Sequence, residues 1–231
     1  VTPLLLLPGM MCDARLFGPQ IDALSGSRPL MTVPMNRHET MQELAADVLA
    51  YAPARFAMAG LSMGGILAME VLRQAPDRVS GLALLDTNPK AETDAVKTRR
   101  TPQIAAALSG DLRRVMRDEM KPNYLADGDN TGAILDLCMA MAMDLGPEVF
   151  VRQSKALRDR PDQQDTLRTF KGPALVLCGQ EDSLCPLERH ELMHALMPQS
   201  RFAVISGAGH LPTLEQPDLT TTALMGWLET L

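Results

Sequence analysis

Six short apolar runs punctuate the chain, each followed by a loop or by a stretch with helical spacing. Pro3–Gly9 (PLLLLPG), Leu30–Met35 (LMTVPM), Arg55–Leu61 (RFAMAGL), Ser80–Thr87 (SGLALLDT), Pro173–Gly179 (PALVLCG) and Arg201–Gly207 (RFAVISG) each predict a strand. Their hydrophobicity is continuous rather than alternating, which requires cover on both faces, as in a parallel sheet. Amphipathic stretches at Thr40–Ala52, Met63–Ala75, Leu187–Met197 and Thr213–Leu231 predict helices. Strand and helix in alternation predict an α/β fold, a doubly wound and mostly parallel sheet of about six strands.

From Pro89 to Phe170 the rhythm stops. Helical patterns broken by Pro and Gly fill the interval, and no strand is legible. The stretch is too long for an ordinary crossover. It predicts a helical insertion over 89–170, carried by a core made of 1–88 and 171–231. Within it, Ile134, Leu137, Cys138, Met141 and Leu145 share one helical face. That face reads either as packing onto the core or as a methionine-lined acyl pocket.

Composition narrows the function. With 231 residues, 46% of them hydrophobic, the chain has enough apolar material for one full core. A net charge of −6 argues against nucleic acid and against a polybasic membrane surface. The charge is uneven, because Lys90–Phe170 balances thirteen Lys/Arg with thirteen Asp/Glu and leaves the whole −6 on the rest. No uncharged apolar run approaches the ~18 to 20 residues of a membrane helix. The opening VTPLLLLPGMMCD has no basic leader and ends in a turn, so it reads as a buried strand rather than a signal peptide. Cys12, Cys138, Cys178 and Cys185 are scattered without metal-ligand spacing, as expected of reduced thiols in a cytoplasmic protein. His190 and His194 lie one helical turn apart but lack the HExxH glutamate. They read as a solvated helix face, and no metal or cofactor is called for. Aromatic residues make up only 3%, which disfavours sugar-stacking platforms.

The chemistry starts at GLSMGG, Gly60 to Gly65. A serine on a tight turn between strand and helix projects its hydroxyl beyond the sheet edge, in front of the free N–H groups of the helix. Such a turn strains the serine backbone and leaves no room for side chains two residues away, hence Gly60 and Gly64. This is the G-x-S-x-G nucleophile elbow in its strand–turn–helix setting.

A serine hydroxyl needs a base, and the base needs an acid. VLCGQEDSLCP puts Asp182 just after the fifth apolar run, and VISGAGHLPTLEQP puts His210 just after the sixth. Both fall at C-terminal strand ends, where open α/β sheets gather ligands. The order Ser62, Asp182, His210 is the one expected of this elbow-bearing fold. For the developing oxyanion, the expected donors are the backbone N–H groups of Met63 and of Met10 in LLPGMMCD.

With these three loops the sequence resembles the α/β-hydrolase superfamily, in the flavour of small esterases, enol-lactonases and acyl-carrier methyl-ester esterases. The resemblance covers the chain outside the insertion, which looks like that family's variable lid. It implies cleavage of a small or medium acyl ester or lactone through Ser62, His210 and Asp182. Thioesterase or cofactor-free lyase chemistry, or a ligand receptor on the same body, stand as alternatives. Two features depart from the family pattern. Pro8-Gly9 stands where His-Gly is frequent, and the usual antiparallel first strands have no counterpart. Asp86, at the end of GLALLDTN, is a rival acid, since related enzymes place it there occasionally. Arg99, Arg100, Arg113, Arg114 and Arg117 read either as a solvated surface or as receivers of a carboxylate or carrier phosphate.

Overall fold

The apolar runs form one sheet. The computed structural model describes residues 1–231, with strands β1 (Leu4–Leu7), β2 (Leu30–Thr32), β3 (Phe56–Leu61), β4 (Val79–Leu85), β5 (Ala174–Gly179) and β6 (Arg201–Ile205). Their spatial order is β2-β1-β3-β4-β5-β6, and every pairing is parallel. Successive strand residues point to opposite faces. Leu5, Leu7, Met58, Leu82 and Leu84 enter the core on one face, and Leu4, Leu6, Ala57, Ala59 and Ala83 enter the core on the other. Two cores on one sheet are the reason the strands read as unbroken apolar runs.

The helices are α1 (Gly18–Leu24), α2 (Met41–Tyr51), α3 (Met63–Gln74), α4 (Asp94–Ala106), α5 (Leu112–Arg114), α6 (Thr131–Arg158), α7 (Gln164–Thr169), α8 (Leu187–Leu196), α9 (Pro212–Glu215) and α10 (Pro217–Leu228). Helices α2, α3 and α8 cover one face through residues such as Leu44, Leu67 and Met193. Helices α1 and α10 cover the other through Leu24, Leu224 and Trp227. A threonine N-cap opens α2. Thr40 Oγ1 accepts from the Glu43 amide (3.2 Å) and donates to the Glu43 carboxylate (2.8 Å), a start worth about 1 kcal/mol. The single helix expected over Thr213–Leu231 is two, because Gln216 is non-helical (φ −133°, ψ 64°). Pro217 disfavours the helical conformation at the residue before it.

Between β4 and β5 there is no strand. Helices α4 to α7 fill the interval, with wide turns at Ala107–Asp111 and Val115–Met120 and a break in α6 at Gly146 (φ 80°), just before Pro147. On α6, Ile134, Cys138 and Met141 pack into the core beneath the sheet. That is the packing role rather than the pocket role. No helix is long and apolar enough to cross a membrane.

Strand β1 has β2 on one side and β3 on the other, so the winding reverses between β1 and β3. In open α/β sheets the crevice beyond the carboxyl ends at such a point receives ligands. The loops that follow β1 and β3 meet there.

Candidate active site

Strand β3 ends at Leu61 and α3 begins at Met63, so Ser62 alone makes the turn, with φ 55° and ψ −115°. Holding a non-glycine residue there costs about 1–3 kcal/mol, and its neighbours fix it in place. The Ser62 amide donates to Leu85 O (2.9 Å), and its carbonyl accepts from the amides of Gly65 (3.0 Å) and Ile66 (3.1 Å). Thr87 Oγ1 donates to the same carbonyl (2.7 Å). Each glycine of the motif answers a particular obstacle. A methyl at Gly60 would lie 2.6 Å from the Gly65 nitrogen, one at Gly64 would lie 2.6 Å from Pro8 O, and one at Gly65 would lie 2.7 Å from the Thr87 side chain. The crowding comes from the first turn of α3, from the end of β1 with the loop after it, and from Thr87 after β4, not from the serine itself.

The loop after β6 delivers His210 and the loop after β5 delivers Asp182, both buried. His210 Nε2 lies 2.9 Å from Ser62 Oγ and Nδ1 lies 2.8 Å from Asp182 Oδ2. Asp182 Oδ1 accepts from the amides of Leu184 (2.8 Å) and Cys185 (3.0 Å). Burial opposes ionisation of Asp182, but His210 and these two amides outweigh it and hold the carboxyl below its ordinary range. An ionised Asp182 accepts only, so the proton sits on Nδ1 and Nε2 is left to accept from the Ser62 hydroxyl.

Asp86, the rival acid, is also fully buried, but its Oδ1 accepts from the Gly179 amide (2.8 Å) rather than from His210. Burial and then the nearby Asp182 charge push its carboxyl well above the ordinary range. Its surroundings thus favour the protonated form over the ionised one.

Three positioning residues had no signal in the sequence. Glu215 accepts from the amides on both sides of His210, Gly209 and Leu211 (each 2.9 Å), and from Ala126 (2.8 Å). Tyr124 O accepts from the His210 amide (2.7 Å). Gln153, on α6, accepts from the Met11 amide (2.8 Å) and donates to Met35 O (2.8 Å), which ties the loop after β1 to the β4–β5 segment. His190 is not on a solvated face. It is fully buried, and its Nε2 accepts from the Thr87 amide (3.1 Å). Burial pulls its pKa down to about 4. Its expected companion, His194, is half-buried, bonds Ser200 Oγ (2.7 Å) and stacks on Phe202. Both corrections have one cause: α8 packs against the sheet along the side that carries these rings.

The two expected oxyanion donors occupy different settings. Met10 lines the cavity above Ser62. Met63 has its side chain in the core, and its amide is at the first position of α3, where a helix leaves N–H groups without internal partners. The cavity measures about 590 Å³ and is walled by the loops after β1, β3, β4 and β5 and by the β4–β5 segment. Cys185 adds a thiol within 4.8 Å of the Asp182 and His210 donor atoms. Both nitrogens of that histidine are already engaged, and the geometry is that of a hydrogen-bonded chain.

Residues 4–223 match the model of the alpha/beta hydrolase family. The chain belongs to that family. Among curated proteins it is 24% identical over 240 residues to the pimeloyl-[acyl-carrier protein] methyl ester esterase of Aliivibrio salmonicida, covering 98% of this chain and 92% of that one. Among solved structures it resembles a thermophilic esterase from Thermogutta terrifontis with malate bound (29% identity, TM-score 0.86, 99% and 90% of the two chains). It shares the fold of the enol-lactonase from Burkholderia xenovorans LB400 (20% identity, TM-score 0.89, 99% and 92%). The expectation of an α/β-hydrolase enzyme is met, and the esterases among these relatives support an ester-cleaving one.

Proposed function

We propose that this α/β hydrolase cleaves carboxylic esters, of small or medium acyl length or cyclic as lactones, with Ser62 as nucleophile, His210 as base and Asp182 as the acid that orients it. The reading is carried by one observation, the unbroken run of hydrogen bonds from Asp182 Oδ2 through His210 to Ser62 Oγ, at 2.8 and 2.9 Å, on the floor of a cavity. As Ser62 Oγ bonds to the ester carbonyl carbon, its proton passes to His210 Nε2, and Asp182 stabilises the imidazolium. The amides of Met10 and Met63 donate to the carbonyl oxygen as it becomes an oxyanion. Collapse breaks the carbon–oxygen bond to the alcohol, which leaves with the His210 proton. Water then attacks the acyl-enzyme by the same steps in reverse order, releasing the acid and restoring Ser62.

The surroundings suit this work. Glu215 and Tyr124 fix the histidine loop from both sides, and Gln153 holds Met11, next to one oxyanion donor. The segment 89–170 acts as the lid, since α4 and the turns after it supply much of the cavity wall. Asp86 accepts from the Gly179 amide rather than from His210, and takes no part in proton transfer.

A fluorophosphonate probe and a ladder of p-nitrophenyl esters test the proposal. Folded wild type labels and turns over, and Ser62→Ala loses both, with turnover down by about 10⁴-fold or more. Asp182→Asn lowers kcat by up to about 10⁴-fold, while Asp86→Asn has a far smaller effect. Tight ligand binding without labelling or turnover would instead make the protein a receptor on a hydrolase body.

A further inference from the structure

The cavity has a charge character opposite to that of the chain. The whole protein carries −6, yet the cavity is lined by four arginines (Arg99, Arg100, Arg160 and Arg189) and only two glutamates, Glu92 and Glu119. The pairing within this set is uneven. Glu92 takes two of the arginines, Arg100 at 2.6 Å and Arg160 at 3.1 Å. Glu119 is occupied by Arg114 (3.0 Å), which is not in the wall, and by the Gln103 amide (3.0 Å). Arg99 and Arg189 are left with no carboxylate and no side-chain hydrogen bond to any residue of the protein. One belongs to α4 of the β4–β5 segment. The other belongs to α8, just beyond the loop that carries Asp182. Arg189 is half-buried, so part of its hydration is already lost to the wall.

We propose that Arg99 and Arg189 form an anion subsite, and that the preferred substrate is an ester bearing a carboxylate at the end remote from the scissile bond. A guanidinium presents a planar fork of donors that matches a carboxylate. Two free forks facing one cavity leave the +2 excess for the ligand to neutralise. The other three arginines of the sequence pattern do not share this setting. Arg99 is exposed like Arg114 and Arg117, but those two are paired with Glu119 and Asp118 and, like Arg113, lie outside the cavity lining. The subsite rests on the ester-cleaving reading, and it names the substrate class for that same site. A positive cavity in an acidic protein also concentrates anions locally, an effect that salt screens.

The test uses matched pairs of methyl esters. Each simple ester, from pentanoate to nonanoate, is compared with the monomethyl ester of the dicarboxylic acid of the same length, and turnover is followed by proton release. Wild type favours the acidic partner at one length by about tenfold or more in kcat/KM, mostly through KM, and the preference shrinks as salt rises. Arg189→Gln and Arg99→Gln each reduce that preference, and the double variant abolishes it while the neutral ester keeps its rate to within a few-fold. Equal turnover of both partners in wild type, or equal losses on both in the variants, overturns the subsite and leaves the esterase reading standing. A separate arm needs no turnover. Calorimetric titration of the free dicarboxylates into Ser62→Ala shows binding that vanishes on adding Arg189→Gln and Arg99→Gln. No binding by the Ser62→Ala protein overturns the subsite whatever the activity. Turnover of neither partner, with dicarboxylate binding intact, counts against the esterase reading alone.

Discussion

The glycines of the sheet edge and those of the β4–β5 segment are under different constraints. At Gly60, Gly64, Gly65, Gly179 and Gly209 an added methyl would overlap backbone or side-chain atoms, and the five sit at or beside the Ser62, Asp182 and His210 turns. At Gly110, Gly132 and Gly146 it would meet nothing within 4 Å. The first group exists because chain segments approach too closely for a Cβ. Two of the second group exist because of backbone angle, φ 95° at Gly110 and 80° at Gly146, and Gly132 answers neither need. Close approach at the sheet edge is what brings Ser62, His210 and Asp182 within hydrogen-bonding distance. The segment above is built of helical spans broken at Gly110 and Gly146, and it lines the cavity with apolar residues such as Val96, Met120 and Leu157 as well as with Glu92, Arg99, Arg100 and Arg160.

The hardest test of this contrast is Gly64→Ala. A methyl there must push away the carbonyls of Leu7 and Pro8, which are backbone and cannot rotate aside. A loss above about 4 kcal/mol is expected, seen as a collapse of the urea midpoint or as failure to fold. A variant of near-normal stability would show that the sheet edge is less tightly determined than its geometry implies.

A second test probes the same edge by pH. His190, with a pKa of about 4 against an ordinary 6.5, stays neutral in the folded state while the unfolded chain takes up a proton. Stability is therefore full above about pH 6.5, falls as pH drops towards 4, and falls no further from this source below that. The total loss is of order 3 kcal/mol. Urea unfolding at a series of pH values should give a shallower slope for His190→Gln than for wild type. Parallel slopes would remove His190 as the cause.

The smallest effect belongs to the segment. Gly132 is the second residue of α6, exposed and unobstructed. Gly132→Ala should stabilise by about 0.5 kcal/mol through the unfolded chain, without changing turnover. Destabilisation would mean that this face of the segment has a partner, and the contrast between the two regions would weaken.

The family's marks are short-range ones, and the sequence carries them openly. The four inner strands, β1, β3, β4 and β5, show as runs of four to seven residues because both faces of the sheet are covered there, whereas the edge strands β2 and β6 are less buried. The elbow shows because its glycines lie within three residues of Ser62, and α2 shows through the amphipathic spacing of Thr40–Ala52. The C-terminal helix was legible as helix but not as two, since the break depends on how Gln216 meets Pro217. What the sequence by itself determined, then, was the alternation of elements and the chemical candidates at the strand ends. Only the tertiary structure decided that His210 faces Asp182 rather than Asp86, that His190 is buried under Thr87, that Gln153 clasps the loop after β1, and that Glu92 claims Arg100 and Arg160 but not Arg99 or Arg189. The physical reason is range. Helix and strand periods are set by residues a few positions apart, whereas Ser62 and His210 are 148 positions apart and Met11 and Gln153 are 142 apart. Which of several like charges or carboxyls end up together depends on how the whole sheet twists and how the segment above it settles.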